Sequence, residues 1–253
     1  MNTTFNFKRL GLLLQRYFVE NKQREFTFWG ITIFVFFLMR DSSAAEMFLI
    51  ISGLIFAAKT FKIFAYTPGG MHYLLIPATH AEKIVSAIIL STIYYFSMFI
   101  LAYTTGTWLG IELGNLLLGF EKPLTFSFLQ MDNISAFHNG QMIQHNGLFK
   151  TFISFMITQS MFLLGSLFFK RNAVTKTFLS IIAVSLVLIG IQIVLIKINL
   201  GTWNMNLQMN NTLFIPSGMK LFKDYEWVLK SLTYLLIPFL WLVSYFRLTE
   251  KQV

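Results

Sequence analysis

The sequence predicts an all-α integral membrane protein of six transmembrane helices, with both termini cytoplasmic and an amphipathic interfacial helix at the N-terminus. Of its 253 residues, 55% are hydrophobic and only 12% are charged, and the mean hydropathy is +0.63, above the usual range of soluble domains. Long apolar runs alternate with polar connections. The net charge is +9, but the basic residues stand at the ends of apolar runs, so no nucleic-acid partner is expected. We expect one domain over residues 1–253.

Residues 1–25 are predicted to form the interfacial helix. Leu10, Leu13 and Leu14 begin a helical i, i+3, i+4 pattern that Tyr17 and Phe18 continue. Basic side chains occupy the opposite side, as in a helix lying among lipid headgroups. The alternative is a polar lead-in without fixed structure. Since this stretch is charged and periodic, a signal peptide is not expected.

Six apolar runs are predicted to cross the membrane, at residues 26–41, 44–64, 84–106, 148–169, 173–196 and 227–246. The first is short, so Arg24 and Arg40 are expected to snorkel from its ends. The third apolar run continues to residue 118, and its glycines at 106, 110 and 114 predict that the chain leaves the hydrocarbon near Thr105 and continues along the surface. Pro238 predicts a kink in the sixth span.

The distribution of basic residues predicts the orientation. With an inside N-terminus and six spans, the inner segments hold 13 of the 20 basic residues. They are Lys8, Arg9, Arg16, Lys22, Arg24, Lys59, Lys62, Lys83, Lys170, Arg171, Lys176, Arg247 and Lys251. The connections 119–146 and 197–226 are then predicted to lie outside, the first as a long polar loop and the second as an interfacial segment.

Several kinds of chemistry are absent from the sequence. Gly69-Gly70 is not followed by a Lys-Ser or Lys-Thr pair, so no nucleotide-binding P-loop is present, and any ATP is expected on a partner chain. There is no cysteine, no His-Glu-x-x-His and no Gly-x-Ser-x-Gly. His138 and His145 leave open a weak metal site, although solvated loop histidines are the plainer interpretation. We therefore expect no catalytic residue, cofactor or metal in this chain.

Gln159 and Gln192 are the deepest strongly polar side chains of the predicted spans. Because a polar group facing lipid is costly, both are expected to face other helices. Two interpretations stay open: they line a path for a substrate, or they form hydrogen bonds between helices that fix the packing.

The most informative stretch is Tyr66 to Lys83, between the second and third spans. Thr67-Pro68-Gly69-Gly70 has the composition of a turn. After a second proline, Pro77, Thr79 is a predicted N-cap with Glu82 at the third helical position, the arrangement of a capping box. This helix continues directly into the third span. Such a rigid joint at the cytoplasmic face can act as a lever on that span.

At these residues the chain resembles the permease subunits of ABC-2 type transporters, the membrane subunits of ATP-binding cassette transporters. The family's connection between the second and third spans carries a Leu-Pro-x-x-x-x-Glu-Lys-like signature. The matching residues are Leu74, Leu75, Pro77, Glu82 and Lys83, with Ile76 intervening before the proline. The basic N-terminal helix is similar to the family's connecting helix, and the six-span layout agrees. The loop 119–146 is longer than in the family's plainest members.

This resemblance implies a transport subunit of the bacterial inner membrane that is not itself an enzyme. It implies a cytoplasmic ATPase subunit and a second permease as partners. Lys83, His80 and Glu82 would make polar contacts with the ATPase, and Leu74 and Leu75 would be its apolar anchor. The competing hypotheses are an ordinary interfacial connection at residues 66–83, and a membrane scaffold or sensor that binds a partner through the loop 119–146.

Overall fold

The computed structural model contains six helices and one β-hairpin among the residues it describes. The described residues are 5–39, 45–61, 73, 75–119, 129, 134–138, 141–145, 147–169, 172–200 and 226–250. The helices are α1 (Phe7–Met39), α2 (Ala45–Thr60), a composite helix, α5 (Leu148–Phe168), α6 (Ala173–Leu200) and α7 (Glu226–Glu250). The composite helix joins α3 (His80–Ile88), a π-helical segment (Ile89–Tyr94) and α4 (Tyr95–Leu118). Each of the six predicted spans therefore overlaps a helix, and residues 40, 41, 44 and 62–64 of the first two lie outside the described residues.

Three of these helices are long and apolar enough to cross a membrane: His80–Leu117, Leu148–Phe168 and Ala173–Ile191. Within the last, only 6% of the residues are buried. A helix that is apolar all round, and that the described part of the chain leaves almost uncovered, is typical of a lipid-facing span. In contrast, α2 has only 16 residues, or about 24 Å, which is short of the hydrocarbon thickness of about 30 Å.

The N-terminal region differs from its prediction. An interfacial helix followed by a separate span was expected, but α1 is one continuous helix of 33 residues, about 50 Å long. Residues 12–29 hold neither Gly nor Pro, so nothing in this stretch interrupts the helix. The side chains of Glu25, Trp29, Thr32 and Phe36 form its buried stripe, and this stripe faces the composite helix.

The composite helix also differs from its prediction. The chain was expected to turn along the surface near Thr105, but the helix has no break there: it continues to Leu118 and ends at Gly119, whose positive φ of 62° caps it. Gly106 and Gly110 serve close packing instead. A Cβ atom at Gly106 would lie 2.5 Å from the carbonyl oxygen of Ile33, and one at Gly110 would lie 2.5 Å from that of Phe37. These glycines let two helix backbones touch.

The two longest helices run side by side in the same direction. Contacts join Arg9 to Glu82 near their starts and Trp29 to Tyr94 further along, and the two glycine contacts follow. α2 and α5 run the opposite way and complete an aromatic core around Tyr95 and Phe99. In this core the rings of Tyr95 and Phe155 stack with centroids 5.9 Å apart.

A second apolar cluster brings the ends of several helices together at one end of the bundle. Phe61 at the end of α2 packs with Ile84 at the start of the composite helix, with Leu167 at the end of α5 and with Leu248 at the end of α7. We call this the Thr79 end of the bundle, after the residue that caps the composite helix there. The start of α1 reaches the same end through Glu82.

The segment 119–146 was predicted to be a polar loop, and the structure places a hairpin in it. Strands β1 (Ile134–His138) and β2 (Gln141–His145) pair antiparallel, with Ile134 opposite His145 and His138 opposite Gln141. The two histidines are thus four positions apart along the hairpin, roughly 13 Å.

Candidate functional site: the start of the composite helix

The predicted capping box is present at the start of the composite helix. The Thr79 hydroxyl accepts a hydrogen bond from the Glu82 backbone N–H at 3.2 Å, and the Thr79 backbone N–H donates to Glu82 Oε2 at 2.8 Å. Two backbone donors that the helix leaves without partners are satisfied in this way. The helix start is therefore fixed at the residue that the sequence predicts.

Glu82 does more than cap its helix, because its other carboxylate oxygen holds the start of α1. Oε1 accepts from the Asn6 backbone N–H at 2.7 Å and from Arg9 Nε at 3.1 Å, and Arg9 Nη2 lies 2.9 Å away. The Glu82 side chain is completely buried, whereas that of Arg9 is 27% exposed. We call the group of Asn6, Arg9, Thr79 and Glu82 the Glu82 latch. It connects the N-terminal helix to the start of the composite helix.

The six residues predicted to contact an ATPase fall into three groups. Leu75 is 76% exposed, Pro77 is also exposed, and His80 is half-buried. Glu82 and Lys83 are buried, with 0% and 1% exposure. Leu74 lies outside the described residues. The structure thus leaves Leu75 available as an apolar anchor, whereas the side chains of Glu82 and Lys83 face the interior of the bundle.

Lys83 lies against the aromatic ring of Tyr73. Its Nζ atom is 5.5 Å from the ring centroid, within the range of a cation–π contact. Tyr73 in turn packs on Phe61 at the end of α2, with ring centroids 6.3 Å apart. The side chain of Lys83 therefore joins the connection before the composite helix to the apolar cluster of the Thr79 end.

A second polar cluster, which sequence reasoning missed, lies further along α1. Glu25 is only 8% exposed. Its Oε1 accepts from the Tyr17 hydroxyl at 2.6 Å, and its Oε2 accepts from Trp29 Nε1 at 3.0 Å and from the Tyr94 hydroxyl at 3.1 Å. Arg24 Nη2 is 3.7 Å from Oε1. We call this group the Glu25 cluster. Burial and the neighbouring Glu25 carboxylate raise the pKa of Tyr17.

The Glu25 cluster meets the composite helix at its irregular segment. Tyr94 is the last residue of the π-helical segment Ile89–Tyr94. Extra residues of this kind inside an α-helix are found frequently at functional sites. A signal for the cluster was available in the sequence, since Glu25 and Trp29 are four residues apart on one helix face. Nothing in the sequence indicated that Tyr94 would join them.

Gln159 is placed as predicted, facing other helices. It is 1% exposed, and its amide lies against Gly53 of α2, where a Cβ atom would clash with Nε2. Among the described residues neither Nε2 nor Oε1 has a hydrogen-bond partner. The hydrogen bond between helices that one interpretation requires is therefore absent from the described part of the chain. The side chain of Gln192 lies outside the described residues.

The described residues bring no three His, Asp or Glu side chains close enough together to hold a metal ion. In comparisons with known proteins, no protein-family model, no curated protein and no solved structure matches the chain.

Proposed function

We propose that this chain is the membrane-spanning permease subunit of an ATP-driven transporter of the ABC-2 type. In this proposal all six helices cross or enter the cytoplasmic membrane, both termini are cytoplasmic, and a second permease completes the substrate path. A separate cytoplasmic ATPase binds at the Thr79 end of the bundle.

The Glu82 latch is the observation that carries this proposal. It joins the starts of α1 and of the composite helix through one buried carboxylate. A force applied to the connection before Thr79 therefore acts on two long parallel helices together. The composite helix is continuous over 38 residues from His80 to Leu117, about 57 Å, which is longer than a bilayer is thick. Motion at the Thr79 end is thus transmitted to the opposite end.

In this mechanism Leu75 and Pro77 contact the ATPase directly. A large apolar side chain exposed at 76% next to a fixed helix start is a suitable anchor for a complementary pocket. His80 contributes at the edge of the contact. Glu82 and Lys83 act as positioning residues inside the bundle, since their side chains are buried.

The decisive experiment is affinity purification of the tagged protein in mild detergent, followed by mass spectrometry and an ATPase assay. We expect a stoichiometric soluble ATPase with the unmodified chain and its loss with Leu75→Asp. Leu116→Asp is the matched control, because Leu116 is equally exposed, at 79%, but lies near the opposite end of the bundle. Loss of the ATPase from both variants, or from neither, contradicts Leu75 as the anchor.

A second candidate function follows from the hairpin in residues 119–146. A two-stranded hairpin presents unpaired backbone groups along both edges, and an extended partner segment can pair with such an edge. A non-transporting scaffold or sensor would use this hairpin to bind its partner. Deletion of residues 134–145 would then abolish function, and no ATPase would copurify with the intact chain.

A further inference from the structure

An open groove runs along the junction of α1 and the composite helix, beside the Glu25 cluster. Its volume is about 740 Å³. Leu14, Phe18, Phe26 and Met98 give it apolar walls, and Trp29 and Tyr94 add aromatic surface. Phe18 packs edge-on against Tyr94, with ring centroids 4.9 Å apart.

The groove also holds one negative and one positive side chain. Glu25 lies at its base and Lys22 is exposed at its rim. The two carboxylate oxygens of Glu25 differ in their surroundings. Oε1 is directed to Tyr17 and Arg24, neither of which lines the groove, whereas Oε2 contacts Trp29 and Tyr94, which both do. Arg24 therefore does not occupy the side of the carboxylate that faces the groove.

The groove lies where the sequence of α1 predicts the boundary between headgroups and hydrocarbon. Up to Arg24 the helix carries five basic residues, and from Phe26 to Met39 it carries none. Lys22 and Glu25 are three residues apart, about 4.5 Å along the helix axis, so a single headgroup can reach both. Trp and Tyr side chains are enriched at this depth of a membrane.

We propose that this groove binds the headgroup of a zwitterionic phospholipid. The lipid ammonium lies against Glu25 Oε2 and the faces of Tyr94 and Trp29, combining ion pairing with cation–π contact. The phosphate lies at Lys22. The acyl chains follow Phe26 and Met98, on the side where α1 becomes apolar. An anionic lipid such as phosphatidylglycerol would satisfy Lys22 through its phosphate, but its neutral glycerol headgroup would bring no cation to Glu25.

The test is native mass spectrometry of the full chain with phosphatidylcholine, phosphatidylethanolamine and phosphatidylglycerol of identical acyl chains at equal concentration. We expect both zwitterionic lipids to bind better than phosphatidylglycerol. Lys22→Gln and Glu25→Gln should each weaken that binding about three- to fivefold, as for one partly exposed ion pair. Lys8→Gln, an exposed lysine elsewhere on α1, is the matched control and should change nothing.

Two results would overturn the proposal: equal or better binding of phosphatidylglycerol, or zwitterionic binding that Lys22→Gln leaves unchanged. If Glu25→Gln fails to fold because its buried hydrogen bonds are lost, Lys22→Gln decides alone, since that side chain is exposed. The inference requires a membrane but no ATPase. Lipid binding can therefore fail while the ATPase copurifies, and the ATPase can be absent while the lipid binds. The two proposals are thus tested separately.

Discussion

Buried polar side chains in this bundle are of two kinds. Glu82 is fully buried, and both of its oxygens accept hydrogen bonds, from Asn6, Arg9 and Thr79. Gln159 is buried to the same degree, yet neither end of its amide has a partner among the described residues. A satisfied buried carboxylate fixes a structure, whereas an unsatisfied amide costs stability. Substitution at the two positions should therefore have opposite effects.

Replacing Glu82 by Gln should destabilise the protein by about 2 to 4 kcal/mol. The change removes the charge that Arg9 neutralises and turns an amide N–H toward the Thr79 N–H, where two donors would oppose each other. Thermal unfolding in detergent, followed by circular dichroism, measures the shift. Glu20→Gln is the control, because Glu20 is exposed and forms an ion pair with Arg16 four residues away; it should shift the midpoint little. Equal shifts for the two variants would show that the latch contributes no stability.

Replacing Gln159 by Leu should leave thermal stability unchanged or raise it by about 1 kcal/mol. The leucine is apolar and of similar size, and it removes two buried polar atoms without hydrogen-bond partners in the described part of the chain. If Gln159 lines a substrate path, transport falls in this stable variant. A clear loss of stability would instead reveal a hydrogen bond that the amide makes in the assembled protein.

At the scale of helices, two backbones approach closely along α1 and α4. The approach depends on Gly106 and Gly110, which stand opposite the carbonyl oxygens of Ile33 and Phe37. In a membrane, association of this kind rests on packing, because lipid tails are as apolar as the side chains they would replace.

Gly106→Ala should therefore destabilise the bundle, by about 1 to 3 kcal/mol. Its new methyl group would meet the Ile33 oxygen at 2.5 Å and Phe36 Cβ at 2.8 Å, so the helices must separate. Gly30→Ala is the matched control, since a Cβ there has nothing within 4 Å and alanine favours the helix. Thermal unfolding of both variants makes the comparison. A stable Gly106→Ala protein would mean that the two helices are further apart than described.

The positions of the helices could be predicted from apolar runs, but their continuity could not. Leu148–Phe168 agrees with its predicted span to within one residue. The join within α1 and the unbroken course of the composite helix past Thr105 were missed, because the interfacial helix was ended at residue 25 and the glycines from Gly106 onward were interpreted as a departure from the span. Both features depend on the helix that packs alongside, and a single sequence does not indicate which helix that is. The hairpin was missed although Asn139-Gly140, between its strands, is a strong hairpin signal.

Of the candidate site, local features were predictable and long-range contacts were not. The capping box of Thr79 and Glu82 follows from spacing alone and is confirmed. The contacts of Glu82 with Asn6 and of Tyr94 with Glu25 join residues 76 and 69 positions apart. Their existence depends on the parallel packing of α1 with the composite helix, and no local pattern indicates that packing.

At the scale of the whole molecule, the positions of the helix ends are relevant to membrane orientation. The starts of α1 and the composite helix and the ends of α2, α5 and α7 meet at the Thr79 end. Basic residues at this end include Lys8, Arg9 and Arg247. The positive-inside bias is the basis of our proposal that the Thr79 end faces the cytoplasm.

Labelling of single cysteines tests this orientation directly, since the natural chain has no cysteine. Leu117→Cys, at a residue 74% exposed, should react with a membrane-impermeant maleimide on intact cells. Lys8→Cys, exposed on α1 at the opposite end, should react only after the cells are opened. The reverse pattern would invert the orientation and remove the cytoplasmic docking surface from the proposal.

The Glu82 latch also sets an order of events during synthesis. Asn6 and Arg9 leave the ribosome first, and their partner Glu82 follows 76 residues after Asn6. At about 5 to 20 residues per second, the N-terminal helix waits roughly 4 to 15 seconds before its carboxylate arrives. During that delay the Glu82 carboxylate is not available to Asn6 and Arg9. Closure of the latch can therefore occur only after α2 and the start of the composite helix have been synthesised.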